Sequence, residues 1–135
     1  MPANTSLPKR SNKKRRARIL LVEDDPIQIM MYEAEFCNHG YETFSAKDRK
    51  RALLLAAKVK PDLIFLDLIL GNDNGLRVLE KIRSNSDLKK IGVVIFSNYF
   101  KKGLEAECKR AGALDFLLKT EFLPKELAHK VKEYL

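Results

Sequence analysis

The segment Asp62-Leu-Ile-Phe-Leu-Asp67 sets four apolar residues between two carboxylates. A run this short and this apolar reads as a strand covered on both faces. A carboxylate at the end of such a strand is costly to bury without a partner. In an open parallel sheet that end faces the crevice where ligands bind. Asp67 therefore stands where a reactive acid is expected.

Other runs end in the same way. Arg18-Ile-Leu-Leu-Val-Glu23 leads into Asp24 and Asp25, Gly92-Val-Val-Ile-Phe-Ser97 ends on a hydroxyl, and Asp115-Phe-Leu-Leu reaches Lys119. With a further strand over 41–45, the expected strands are 18–23, 41–45, 62–67, 92–97 and 115–118.

Helical patterns fill the intervals. Asp25-Pro26 offers an N-cap and a first helical residue, followed by an apolar stripe of Ile27, Met30, Met31 and Ala34, with Gly40 at the end. Ser45-Ala-Lys-Asp48 reads as a capping box for a helix that buries Ala52, Leu55, Ala56 and Val59 and stops at Pro61. A third helix starts near Gly75 with Leu76, Leu79 and Ile82 inward. A fourth carries Leu104, Cys108 and Ala111, and a last one runs from about Pro124 with Leu127, Val131 and Leu135.

Five βα units imply an α/β, doubly wound, five-stranded parallel sheet with five helices on its two faces. The flavodoxin-like strand order 2-1-3-4-5 makes the first and third strands neighbours, so Glu23 and Asp24 converge on Asp67.

Composition sets the bounds. The 135 residues suit one domain, with 45% hydrophobic and 33% charged residues. Cys37 and Cys108 lack the spacing of a disulfide framework or zinc site and read as reduced, partly buried thiols. Neither a membrane-length apolar run nor a signal peptide is visible, so the expected compartment is cytoplasmic. The formal charge of +8 comes from the start of the chain. Residues 1–18 hold seven of the 26 Lys and Arg residues and no acid, leaving 19 basic residues against 18 acids. Residues 1–17 read as a disordered basic leader, solvated and flexible, with counterion release as a route to anionic surfaces. Residues 18–135 form the folded domain.

The strand-end residues can support phosphoryl transfer, which needs positioning and charge neutralisation more than covalent help. Asp can accept a phosphoryl group as an acyl phosphate. Mg2+ is commonly held by one or two carboxylates with phosphate oxygens and waters. Asp24 and Asp67 can supply the carboxylates, with Glu23 acting through a water and the backbone carbonyl of Ile69 as an uncharged ligand. Lys119 offers a point charge and Ser97 a hydroxyl. Asp25 is better explained as a helix cap.

From Arg18 to Leu135 the chain resembles a receiver domain of two-component response regulators. The segments that carry the resemblance are Ile19-Leu-Leu-Val-Glu-Asp-Asp-Pro26, Pro61-Asp-Leu-Ile-Phe-Leu-Asp67, Asn74-Gly-Leu76, Ser97-Asn98 and Ala111-Gly-Ala-Leu-Asp-Phe-Leu-Leu-Lys119. The intervals of 43 residues from Asp24 to Asp67, 30 to Ser97 and 22 to Lys119 are similar to the family's spacing. The resemblance implies Asp67 as phosphoacceptor, Glu23 and Asp24 as the acid pair around Mg2+, Ser97 as the switch hydroxyl and Lys119 as the phosphate-contacting lysine. It also implies a phosphohistidine donor, on a sensor histidine kinase or a phosphotransfer protein.

The chain departs from the family's usual pattern in several places. Thr120 follows Lys119 where Pro is usual, so the loop beyond is expected to take a different path. Phe116 stands at the switch position where Tyr is common and presents no hydroxyl. Gly71 and Asn74 replace a frequent Pro and Asp. These changes bear on signalling output, not on the catalytic groups.

A haloacid-dehalogenase-type phosphatase is ruled out because Ile69 stands where its second Asp must be. The chain is thus expected to be no enzyme beyond its own phosphorylation and dephosphorylation. A pseudo-receiver interaction module and a phosphate sink remain the alternatives. Expected partners are the phosphodonor, a downstream protein target and, in one alternative, a second copy in a phosphorylation-dependent homodimer. The last helix reaches Leu135, so no direct DNA-binding domain is expected, and the chain reads as a stand-alone receiver or a piece of a longer regulator.

Overall fold

The structure, a computed structural model, describes residues 15–135. Residues 1–14, most of the basic leader, lie outside the described residues. Five parallel strands form the central sheet: β1 (Arg18–Val22), β2 (Glu42–Ala46), β3 (Leu63–Leu66), β6 (Gly92–Ser97) and β7 (Asp115–Leu118). Their order is β2-β1-β3-β6-β7, the arrangement expected from the alternating pattern. β1 and β3 are adjacent, with Val22 opposite Leu66, so the chain leaves both strands side by side at Glu23 and Asp67.

The helices are α1 (Pro26–Asn38), α2 (Arg49–Val59), α3 (Gly75–Ser84), α4 (Leu104–Arg110) and α5 (Pro124–Lys130). One core lies under α2, α3 and α4 and is built on Leu20, Ile64, Leu66, Leu79 and Ile95. The other lies under α1 and α5, where Phe36 stacks on Phe65 and Tyr32 meets Phe96 edge to face. β3 is buried along its whole length because each face belongs to one of these cores.

Several local expectations are corrected. The buried face of α1 is Ile29, Tyr32 and Phe36, whereas Ile27, Met30, Met31 and Ala34 are all exposed. Both faces carry apolar residues at helical spacing, and the larger aromatics fill the space under the sheet. Ser45 does not cap α2. β2 continues to Ala46 opposite Val22, which keeps Ser45 in the ladder, and Asp48 becomes the cap by accepting from the N–H of Arg51 at 2.8 Å. Leu55 and Val59 are half-buried, Val78 joins Leu79 and Ile82 inside α3, and Leu135 is exposed. Cys37 is exposed and Cys108 is buried, and both are free thiols.

A short antiparallel pair, β4 (Ile69–Leu70) and β5 (Asp73–Asn74), occupies the loop after Asp67. Gly71 turns it at φ +58°, a conformation that a Pro there could not take. Every peptide bond among the described residues is trans, and Lys119–Glu121 forms a 3-10 turn.

Two buttresses hold the frame. The Arg83 guanidinium donates to the carbonyls of Gly112, Lys89 and Ile91, tying the end of α3 to the entries of β6 and β7. At the entries of β1 and β3 Arg15 pairs with Asp62 at 2.9 Å, Ala17 packs on the α1–α5 core, and the Ala17 carbonyl accepts from the N–H of Glu42. Arg15 and Ala17, placed in the leader by composition, are therefore tied to the sheet. No described helix is long and apolar enough to cross a membrane.

Candidate functional site

Asp67 follows β3 at the carboxyl edge of the sheet and is 8% exposed. Its N–H donates to the carbonyl of Val22, which fixes the backbone against β1. Both carboxylate oxygens are engaged. Oδ1 accepts from the Ser97 hydroxyl at 2.7 Å and from the Ile69 N–H at 3.2 Å, and Oδ2 accepts from the Lys119 ammonium at 2.7 Å. Lys119 also donates to Glu23 Oε1, so one lysine bridges the two buried carboxylates.

The acid pair divides its work. Glu23 is buried and its Oε2 accepts from the Asp25 N–H at 3.1 Å. Asp24 is exposed, next to Gly71, where an added Cβ would sit 3.5 Å from Asp24 Oδ2. Asp25 caps α1 through the N–H of Ile27 at 2.9 Å, as its position before Pro26 predicts.

The backbone around Asp67 is crowded. Gly75, the first residue of α3, lies against it so closely that a Cβ there would fall 2.1 Å from the Asp67 carbonyl oxygen. Only glycine permits that approach, and it brings the start of α3 beside the acid.

These five side chains, at four strand ends on the carboxyl edge of the sheet, occur in a chain whose residues 19–132 match the response regulator receiver domain. The chain is a response regulator receiver domain. It is 33% identical to the response regulator PleD of Caulobacter vibrioides over 103 residues, which is 76% of this chain and 23% of PleD. It is 28% identical to protein PilH of Pseudomonas aeruginosa over the same length, covering 76% of this chain and 85% of PilH. Among solved structures, the chemotaxis protein CheY4 of Vibrio cholerae superimposes with a TM-score of 0.82 at 26% identity, over 90% of this chain and all of that one.

The receiver's electrostatics follow from its burial. Desolvation pushes the Glu23 carboxyl above its ordinary pKa, and the nearby Asp67 adds to that push against the opposing Lys119. For Lys119, burial works against the charge, but the hydrogen bonds to Asp67 and Glu23 outweigh it and raise its pKa. The lysine thus stays charged at neutral pH.

Receiver domains typically bind Mg2+ at an acidic pocket. Among the described residues no three acidic, His or Cys side chains converge as a ready-made metal cluster. The donor chemistry nevertheless fits a hard cation: Glu23, Asp24 and Asp67 offer only oxygen, and the exposed Asp24 borders open space.

Sequence reasoning missed Gln28. Its amide oxygen accepts from Lys119 at 2.6 Å, and its Nε2 donates to Asp25 Oδ2 at 3.1 Å. The signal was present: one polar residue between Ile27 and Ile29, a turn beyond the cap. Phe116 sits near the end of the sheet on β7. Its ring is buried and meets Phe100 edge to face.

Proposed function

We propose that this receiver takes a phosphoryl group from a phosphohistidine onto Asp67 and passes the change on as altered protein contacts. The observation that carries the reading is the buried Asp67 carboxylate, with Ser97 on one oxygen and Lys119 on the other. Such fixed donors stabilise charge that develops on a transferring group without further reorganisation. The bond between phosphorus and the donor's imidazole nitrogen breaks, its electron pair returns to the ring, and a carboxylate oxygen of Asp67 forms the new bond to phosphorus.

Glu23, Asp24 and Asp67, with the Ile69 carbonyl, are the residues we assign to Mg2+, with Glu23 acting through a water. The cation would neutralise charge on the phosphoryl oxygens. Lys119 supplies a second positive charge, and Ser97 is the hydroxyl that can follow the phosphoryl group. The protein then acts in the cytoplasm on its own Asp67, with a sensor histidine kinase or phosphotransfer protein as donor and a protein target as reader. A phosphorylation-dependent homodimer and a leader contact with anionic surfaces belong to the same reading.

Incubation with acetyl phosphate or phosphoramidate and Mg2+ should add one phosphoryl group that is labile to hydroxylamine, and Asp67→Asn should abolish it. Undiminished labelling of that variant would overturn the assignment. Phe116, which presents no hydroxyl at the switch position, favours a second reading, a phosphate sink without a driven output. Amide exchange with beryllofluoride separates the two: a switch alters residues 100–135, and a sink alters only the loops around Asp67.

A further inference from the structure

Lys119 has three N–H donors and three acceptors in reach: Glu23, Asp67 and Gln28. Two of these are carboxylates with other duties in the phosphotransfer proposed above. Gln28 is the neutral one, contributed by the first turn of α1. Its orientation is fixed by charge. The oxygen must face the ammonium, and the NH2 must face Asp25, whose other oxygen caps the helix at Ile27.

We propose that Gln28 is a positioning residue that anchors Lys119 while its carboxylate partners change hands. As Asp67 becomes an acyl phosphate it loses its own negative charge, and the ammonium must shift towards a phosphoryl oxygen. The Lys119 side chain is 7% exposed, so water does not readily replace a lost acceptor. The Gln28 carbonyl bears no charge and does not compete for the phosphoryl group, so it holds the ammonium through the exchange. The chain Asp25–Gln28–Lys119 thereby joins the start of α1 to the reacting carboxylate.

The inference rests on the phosphotransfer reading, and two measurements keep their outcomes apart. In the protein without donor, the 15N-resolved ammonium signal of Lys119 should be protected from exchange in the wild type. It should be lost to exchange in Gln28→Leu and retained in Gln28→Glu, which keeps an acceptor oxygen. With phosphoramidate and Mg2+, Gln28→Leu should lower the maximal phosphorylation rate roughly tenfold, as loss of one hydrogen bond to a charged group would, with half-saturation by donor unchanged. Unchanged protection of the Lys119 signal in Gln28→Leu overturns the anchor. So does an unchanged rate. A wild-type protein that takes no phosphoryl group overturns the phosphotransfer reading instead, and the Lys119 signal still decides whether Gln28 holds the lysine.

Discussion

The hydroxyl of Ser97 donates to Oδ1 of Asp67 at 2.7 Å, with Ser97 fully buried at the end of β6. The two residues lie on adjacent strands, because β3 and β6 pair in parallel register. The bond therefore joins the central strand to its neighbour through the acid itself.

Ser97→Ala should remove a buried hydrogen bond to a charged acceptor and lower stability by about 1–3 kcal/mol. Asp67 keeps its contacts with Ile69 and Lys119, so phosphorylation should slow without disappearing. Urea denaturation and a phosphoramidate time course check the two parts.

Lys119→Met should leave Glu23 and Asp67 buried without their shared cation, at a cost of about 3–5 kcal/mol. Burial already raises the Glu23 carboxyl, and without Lys119 the contact that opposes that push is gone, so Glu23 should titrate higher still in the folded protein. A raised folded-state pKa gives stability below the unfolded pKa that is lost as pH rises through the folded value. The variant should accordingly be less handicapped at about pH 5 than at about pH 8 in paired urea titrations.

Gly75→Ala should act directly on the site. A methyl group 2.1 Å from the Asp67 carbonyl oxygen forces the start of α3 away from β3. The expected cost is about 1–3 kcal/mol, as for other overpacked positions, with phosphorylation falling further than stability. Equal activity per folded molecule in wild type and variant would show that the close approach is not needed for the chemistry.

Asp62 provides a pH test of the sheet edge. Burial raises its carboxyl pKa, but the hydrogen bonds from the Arg15 guanidinium and the Arg18 N–H outweigh that and leave it lowered. A lowered folded-state pKa stabilises the fold above the unfolded value and loses that contribution as pH falls through the folded one. Asp62→Asn should thus cost at most about 1 kcal/mol near neutral pH, given the partial exposure of the pair, and almost nothing in strong acid. Thermal denaturation across pH measures the difference.

The sheet was legible because its inner strands are continuous apolar runs, and the order follows from five alternating units. The pairing of Asp67 with Ser97 and Lys119 was legible because each ends a strand on one edge. What the sequence hid was competition between alternatives of similar quality. α1 offers two apolar stripes, and only the packing of Tyr32 and Phe36 against Phe65 and Phe96 decides between them. Ser45 and Asp48 are both good caps, and the length of β2 decides that pair. The hairpin at Ile69–Leu70 and Asp73–Asn74 is too short to carry a periodic signal. Gln28 required knowledge of where a lysine 91 residues away would point.

Arg83 has a further consequence for how the molecule opens. One guanidinium holds the carbonyls of Lys89 and Ile91 ahead of β6 and that of Gly112 ahead of β7, while the Leu114 N–H donates to the Val93 carbonyl between them. Neither strand entry can fray without releasing contacts that also restrain the other. The two should therefore belong to one cooperative opening unit, with amides at Val93 and Leu114 exchanging at a common free energy. Substituting Arg83 would split that unit, and the far edge of the sheet would begin to breathe independently of the centre.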